Sequence, residues 1–428
     1  MSSTSMKTFN RGRWLTWSLF ALAILVAPKV FNSGLGITVL SQMGIAIIAC
    51  LSYNMLLGQG GMLSFGHAVY TGLGAYVSMH ALNSISGGNL PIPVSLVPLT
   101  GGLAGMGFAV LFGYVTTRKA GNTFAMITLG LGELVFAMSL MVPEFFGGEG
   151  GVSGNRVLGE AFMGITYGPA IQVYYLIAVY TFICVVAMFA FTQTPLGRIL
   201  NAVRDNPERV EFVGYNTHRV RYMAFIIAGF FAGIAGGMGA LNFEIVTAEV
   251  VGAARSGSYL LFTFLGGATF FFGPIIGAVL MVLAFVLFSE FTKAWLLYLG
   301  LIFLFMVMYA PGGFASLIMM NVRVAAFGKL RKLLLPYLAL GATGVIGLAG
   351  VAGIIEMVYH LQLSGGVGHD LEFLGLALQT NAWSSWLGAG TLLLVGGGLF
   401  EWSRRHFAKR WSAVQVEIQN ELNRKGAQ

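Results

Sequence analysis

Charged residues are scarce in this chain. Only 9% of its 428 residues are Asp, Glu, Lys or Arg, whereas an ordinary soluble domain has about a quarter. Hydrophobic residues make up 57%, and the mean hydropathy is +0.79. The net charge of +8 does not indicate nucleic-acid binding, because the Lys and Arg residues stand in short clusters between apolar runs. The composition is that of a membrane protein with no nucleic-acid partner.

Groups that carry catalysis or hold metals are also lacking. Cys50 and Cys184 both lie inside apolar runs and offer neither a disulfide framework nor metal-ligand spacing. The six histidines are scattered, and no G-x-x-x-x-G-K-[ST] loop is present to bind nucleotide phosphates. We therefore expect no enzyme activity, no metal site and no cofactor, and any ATP hydrolysis would have to come from another polypeptide.

Long apolar runs follow one another along the chain. Because a helix needs roughly 20 residues to cross a bilayer core, these runs predict membrane spans. The run over 258–288 is interrupted by Gly273-Pro274, so it either crosses twice or forms a re-entrant pair. The twelve predicted segments lie near residues 14–31, 35–57, 62–82, 92–115, 123–142, 173–191, 222–241, 258–272, 274–288, 295–318, 333–358 and 382–401.

The distribution of basic residues predicts the orientation. With a cytoplasmic N-terminus, the inner loops hold all of the 24 Lys and Arg residues except Lys29, Arg156, Arg255 and Lys293. Both termini are then cytoplasmic. The fold class expected is an all-α polytopic membrane protein with a core of about ten helices and an extra C-terminal pair. The predicted divisions are a basic N-terminus at 1–13, a core at 14–320, a basic linker at 321–332, the extra pair at 333–402 and a tail at 403–428.

Small residues recur at helical spacing inside the spans. Gly101 with Gly105, and Gly229 with Gly233 and Gly237, predict close helix packing. A weak internal repeat relates the Gly60-Gly61, Phe65-Gly66 and Gly74-Ala75 pairs to Gly266-Gly267, Phe272-Gly273 and Gly277-Ala278. Coincidence is the competing explanation in a chain so rich in Gly and Phe.

The C-terminal tail has its apolar residues at helical spacing. Trp411, Val414, Ile418 and Leu422 would form one stripe of an amphipathic helix, next to a basic cluster. The pattern favours a helix on the surface of membrane lipid over one that contacts a partner protein.

A polar inner loop, residues 192–221, predicts a short helix beneath the membrane. Asp205-Asn206 can cap a helix that begins at Pro207, and Gly214 can end it. Glu208 and Glu211 suit the positive end of such a helix. The simpler alternative is a solvated basic loop.

Four stretches of sequence carry a family resemblance. They read NMLLGQGGMLSFGHAVYTGLGAY from Asn54, RKAGNTFAMITLGLGELVF from Arg118, LGRILNAVRDNPERVEFVGYN in the polar loop and LGGATFFFGPIIGA from Leu265. In this order they resemble the LivH/LivM-type permeases of ABC importers for branched-chain amino acids, and the Arg118 stretch is closer to LivM. The resemblance ends near Val322.

The resemblance implies a function and partners. It implies a permease subunit in the bacterial inner membrane that works with a second LivH-like permease, two ATPase subunits and a periplasmic substrate-binding protein. Branched-chain or other amino acids are the favoured solutes, although the resemblance also covers urea, short amides and aromatic acids. The polar loop would dock on the ATPase, through Arg198, Arg204, Asp205, Asn206, Pro207, Glu208, Glu211 and Gly214.

Polar side chains that interrupt apolar segments are the candidates for the translocation path. Hydrogen bonding between helices is the alternative role, and it is favoured for His67. Glu133 is the one carboxylate near the middle of a predicted span; it could be a gate or proton relay, but a structural hydrogen bond is favoured. An ion-coupled secondary transporter without an ATPase is therefore the rival function. The path candidates are Asn54, Ser64, His67, Tyr70, Thr128 and Glu133.

Overall fold

The computed structural model describes residues 11–158, 165–363, 370–373, 376–379 and 382–426. The helices up to the polar loop are α1 (Arg11–Val30), α2 (Gly34–Asn54), α3 (Ala68–Ser86), α4 (Val97–Thr116), α5 (Gly121–Met141), α6 (Pro143–Phe146), α7 (Ala170–Gln193), α8 (Pro195–Asp205) and α9 (Pro207–Phe212). Those that follow are α10 (Thr217–Phe243), α11 (Ala253–Gly266), α12 (Gly273–Leu283), α13 (Ser289–Phe291), α14 (Trp295–Tyr309), α15 (Gly313–Ala326), α16 (Arg331–Leu363) and α17 (Trp383–Gly426). The strands are β1 (Val152–Ser153), β2 (Ile245–Val246), β3 (Asp370–Phe373) and β4 (Leu376–Gln379).

Seven helical stretches in the described residues are long and apolar enough to cross a membrane. One further pair, α14 with α15, is bent by 51° and would count as a single broken span. The predicted all-α polytopic membrane protein is thereby confirmed. The seven stretches are Gly34–Gln59, Val94–Thr116, Gly121–Met141, Ala170–Gln193, Thr217–Phe243, Arg331–Gln362 and Trp383–Arg424.

The chain forms two compact units. The first consists of Met1–Phe288 and Ile302–Ala315, and the second of Ser289–Leu301 and Ser316–Gln428.

Helix α10 is the most buried span of the first unit and packs against α2, α3 and α4. Its contact with α4 depends on glycine: a Cβ added at Gly233 would lie 2.1 Å from the Gly101 carbonyl oxygen, and one added at Gly105 would lie 2.4 Å from the Gly229 carbonyl oxygen. In lipid, the exclusion of water does not drive helices together, and van der Waals contact between closely approaching backbones stabilises their packing. The predicted close packing at these glycines is confirmed.

Two apolar segments differ from continuous spans. The segment expected at 62–82 begins to be helical only at Ala68, after an irregular stretch. The run at 258–288 is divided between α11 and α12, and α11 has 14 residues, which gives about 21 Å of helix. Since this is shorter than a hydrocarbon core of about 30 Å, the geometry favours the re-entrant alternative over two crossings.

Both breaks occur at glycine pairs. Gly61 has a φ of 63° just after the helical stretch Gly34–Gln59, and Gly267 has a φ of 113° just after α11. Glycine adopts such backbone angles without steric cost. The two stretches related by the weak sequence repeat thus share a helix, a glycine with positive φ and a second helix.

The segment that follows α6 is tied to the end of α10. Strands β1 and β2 pair in antiparallel fashion, with Val152 opposite Val246. Arg156 forms an ion pair with Glu244 at 3.8 Å and donates to the Leu241 carbonyl oxygen at 3.0 Å. These bonds fix the part of the 143–169 loop that the structure describes.

The second unit is built on α16 and α17. They pack closely, since a Cβ added at Gly350 would lie 2.4 Å from the Leu393 nitrogen. Strands β3 and β4 form a hairpin between these two helices, with Asp370 opposite Gln379. Helix α17 has 44 residues, so the last predicted span and the tail form one continuous helix.

Part of the apolar stripe of the α17 tail is covered by the chain itself. Val414 and Ile418 are buried against Val324 and Leu333 of the same unit, and Trp411 packs on this cluster. Lys329 joins the contact through ion pairs to Glu421 at 2.6 Å and to Glu417 at 3.4 Å. The amphipathic helix is present, but the prediction of a lipid-facing stripe is wrong for Val414 and Ile418, because the chain itself covers them.

Candidate functional site

A broken helix in the first unit forms the centre of the candidate site. Helix α2 continues as a π-helical turn, Met55–Gln59, and the chain then runs irregularly through residues 61–67 before α3 begins. π-Helical turns are rare and often occur at functional positions. Non-helical backbone at membrane depth is tolerated only where protein buries it or where it lines a cavity.

His67 lies at the end of this break and is completely buried. Its Nε2 is 2.9 Å from the Ser52 hydroxyl, which itself donates to the Ala49 carbonyl oxygen at 2.8 Å. A hydroxyl has only one proton, so when Ser52 donates it to Ala49, Nε2 is the donor to Ser52 and Nδ1 is an acceptor. The ring also contacts Tyr53 edge to face, with centroids 5.2 Å apart. His67 therefore bonds α2 to the break, which is the role favoured from sequence.

Side chains from three helices hold the backbone of the break. The Phe65 amide donates to the Thr128 hydroxyl of α5 at 3.2 Å, and the Ala68 amide donates to the Ser256 hydroxyl of α11 at 2.9 Å. The Tyr53 hydroxyl of α2 donates to the Ser64 carbonyl oxygen at 3.0 Å. Thr128, a path candidate from the sequence, thus contacts the break, and its role in translocation stays a prediction.

Sequence reasoning missed Ser52, Tyr53 and Ser256. Each is a small or aromatic polar residue in an apolar helix, and such residues are common structural elements. The sequence contains no local signal that pairs α11 with a break nearly 190 positions earlier.

Several buried polar atoms around the break have no hydrogen-bond partner in the described part of the chain. Buried polar groups are normally satisfied, so these atoms make the region around the break a candidate for contact with a polar solute. Ser64 and Tyr70 lie three positions before and after His67 along the chain, whereas Asn54 and Gln59 belong to the helix before the break. The atoms are Asn54 Oδ1, Gln59 Oε1, Ser64 Oγ, His67 Nδ1 and the Tyr70 hydroxyl.

Glu133 lies apart from this cluster. Its helix α5 buries Thr128, Gly132 and Val135, whereas Glu133 is exposed on the other side. The structure therefore does not bring Glu133 together with the other five path candidates. The structural hydrogen bond favoured for Glu133 from sequence is not among the described contacts.

The polar loop forms two short helices, α8 and α9. The Asn206 side chain caps α9 by accepting from the Arg209 amide at 3.0 Å, Pro207 is its first residue, and Gly214 follows it with a φ of 94°. The predicted helix is present. Asp205 ends α8 and pairs with Arg204 at 2.9 Å, so Asn206 alone supplies the cap.

Further contacts fasten this loop. The Thr217 hydroxyl donates to Glu211 Oε1 at 2.7 Å, which joins the loop to the start of α10. Arg198 and Glu208 are exposed. The loop is a hydrogen-bonded pair of short helices with charged groups on its surface.

Helix α8 contacts the broken helix. Arg204 Nη1 donates to the Gly58 carbonyl oxygen in the π-helical turn, and Leu200 is buried beside Gly60. A movement of α8 would therefore act directly on the turn that precedes the break.

The tip of the loop carries exposed apolar residues that sequence reasoning missed. Phe212 is 90% exposed, Val213 71% and Tyr215 48%. Aromatic side chains on a rigid projection are typical of protein interfaces. The sequence alone could not distinguish them from the buried Val210, which lies in the same short helix.

The comparisons with known proteins identify the family. Residues 36–311 match the family model described as "Branched-chain amino acid transport system / permease component". The chain belongs to this permease family. The broken helix, the buried polar cluster and helices α8 and α9 all lie within the matched residues.

Individual relatives agree with the family model. The chain is 28% identical over 327 residues to the high-affinity branched-chain amino acid transport system permease protein LivM of Salmonella typhimurium, which covers 71% of this chain and 76% of LivM. LivM of Escherichia coli matches equally. The fructose import permease protein FrcC of Rhizobium meliloti is 22% identical over 287 residues, 62% of this chain and 74% of FrcC. No solved structure matches. The resemblance to LivM-type permeases is confirmed.

Proposed function

We propose that this chain is the transmembrane permease subunit of an ATP-binding-cassette importer and that its solute is an amino acid, with branched-chain amino acids favoured. The contact between Arg204 and the Gly58 carbonyl oxygen carries the proposal. It links the two helices of the polar loop to the helix break, where buried polar groups have no hydrogen-bond partner among the described residues. A motor that pushes α8 and α9 would thereby change access to the break.

The proposed assembly contains a second LivH-like permease, two ATPase subunits and a periplasmic substrate-binding protein. Phe212, Val213 and Tyr215 would enter an apolar groove on an ATPase subunit, while the exposed Arg198 and Glu208 would set the register. The two subunits would together line the path, since Glu133 is exposed in the single chain and a carboxylate facing lipid is costly.

The proposed location is the bacterial inner membrane, with both termini in the cytoplasm. This orientation places α8 and α9 on the same side as ATP. It also follows the distribution of Lys and Arg along the chain.

An ion-coupled transporter working without an ATPase is the competing function. The observation that favours this alternative is the exposed position of Glu133 on α5, because an ion-coupled transporter needs an ionisable group on its path.

Reconstitution into liposomes tests the proposal. Liposomes that contain the permease, its second subunit and the ATPase should take up labelled L-leucine. Uptake should require the binding protein outside and ATP on the ATPase side. A non-hydrolysable ATP analogue is the control and should support no uptake. Accumulation by the permease alone, abolished by an ionophore, would instead establish the ion-coupled transporter.

A further inference from the structure

An open cavity of about 100 Å³ lies in the first unit between α2, α10, α11 and α12. Its wall is largely aliphatic, with Ile45, Met281 and Val282 among the lining side chains. Its polar groups come from Gln42 of α2 and from Arg255 and Tyr259 of α11. The cavity therefore has a cationic and hydrogen-bonding part next to an apolar part.

Arg255 has no ionic partner among the residues that the structure describes. It is half-buried near the start of α11, and among the described residues no Asp or Glu lies within the 4.0 Å that defines an ion pair. Arg156 makes the contrast clear, because it forms an ion pair with Glu244 and donates to several carbonyl oxygens. The Arg156 guanidinium is therefore bonded within the protein. The Arg255 guanidinium lines the cavity, and no carboxylate is among the other lining residues.

The cavity adjoins the broken helix. Tyr259 lines the cavity and also contacts the His67 ring edge to face, with centroids 6.4 Å apart. One turn of helix earlier, Ser256 bonds the Ala68 amide at the end of the break. A solute in the cavity would thus lie one side chain away from the buried polar cluster.

We propose that this cavity is a solute-binding site and that Arg255 pairs there with the carboxylate of an aliphatic amino acid. This inference rests on the proposed function. A guanidinium binds a carboxylate through two parallel hydrogen bonds, which gives both affinity and orientation. Gln42 provides a hydrogen-bonding group for the polar end, and Ile45, Met281 and Val282 contact the aliphatic side chain.

The site selects for a carboxylate. The cavity contributes a cation and no carboxylate among its lining residues, so it has no partner of opposite charge for an ammonium group. A neutral amide or urea would leave the guanidinium without an anionic partner. The chemical class recognised is therefore a small aliphatic carboxylate, of which a branched-chain amino acid is one.

Binding of three matched probes to the full chain in nanodiscs tests the site. L-leucine carries both charged groups, 4-methylpentanoate carries only the carboxylate, and 3-methylbutan-1-amine carries only the ammonium. By ligand-observed NMR, we expect leucine and 4-methylpentanoate to bind and the amine not to bind. Arg255→Gln should weaken leucine binding at least tenfold, and Arg255→Lys should weaken it less. Lys29→Gln removes an exposed charge from the same predicted side and should leave binding unchanged.

Other outcomes would overturn the inference. Binding of the amine as tight as that of leucine, no binding of either carboxylate, or unchanged binding in Arg255→Gln would each do so. If Arg255→Gln fails to fold, Ile45→Phe, which fills the cavity and keeps the charge, should abolish leucine binding.

Uptake by the complete complex separates this inference from the proposed function. ATP-dependent leucine uptake with both kcat and KM unchanged in Arg255→Gln would refute the site and leave the importer standing. Absence of ATP-dependent uptake in the wild-type complex would count against the importer itself.

Discussion

At the scale of single residues, the exposed side chain of Phe212 is expected to contribute to association with the ATPase and not to the stability of the fold. It is 90% exposed at the end of α9, so its ring makes little contribution to folding. We expect Phe212→Ala to leave thermal stability unchanged and to weaken association with the ATPase by about 2 kcal/mol, roughly thirtyfold in Kd. Co-purification and titration of the ATPase measure the effect.

A matched control comes from the opposite predicted side of the membrane. Leu158 is 65% exposed in the loop after α6, and Leu158→Ala should not change ATPase binding. If Phe212→Ala retains the wild-type Kd, the tip of the loop is not the anchor of the ATPase contact.

At the scale of helices, the contact between α4 and α10 leaves no space for a methyl group. A Cβ at Gly233 would lie 2.1 Å from the Gly101 carbonyl oxygen, and that oxygen belongs to a helix backbone that cannot give way. Gly233→Ala should therefore destabilise the first unit by about 1–3 kcal/mol or more, visible as a lower Tm in detergent. Gly239→Ala, on the same helix with nothing within 4 Å, should have little effect. Equal Tm values for the two variants would contradict the close contact.

The same helices show what sequence could predict. The spacing of Gly229, Gly233 and Gly237 predicted close packing, and the capping residues of α9 predicted its bounds, because both depend on local residue identity. The irregular stretch after Gly61 was missed, since it depends on tertiary hydrogen bonds from Tyr53, Thr128 and Ser256. Exposure of Glu133 was equally beyond the sequence, because it depends on how α5 is placed among its neighbours.

At the scale of the whole molecule, the larger part of the second unit, Ser316–Gln428, lies beyond the family match, which ends at residue 311. It has an apolar cluster of its own, formed by Val324, Leu333, Val414 and Ile418. The hydrogen bond to Glu421 raises the pKa of Lys329, because it favours the charged amine that pairs with this carboxylate. The extension is a folded unit and not a loose tail.

A charge placed in that cluster should release the tail. Ile418→Asp puts a carboxylate at a fully buried position, where no cation compensates it within the cluster, so residues 403–426 should detach and become sensitive to protease. Val416→Asp is the control, because Val416 is 60% exposed on the same helix. Limited proteolysis of both variants in detergent measures the difference, and the Tm of the first unit should not change. Equal resistance of Ile418→Asp and wild type would mean that the cluster does not hold the tail.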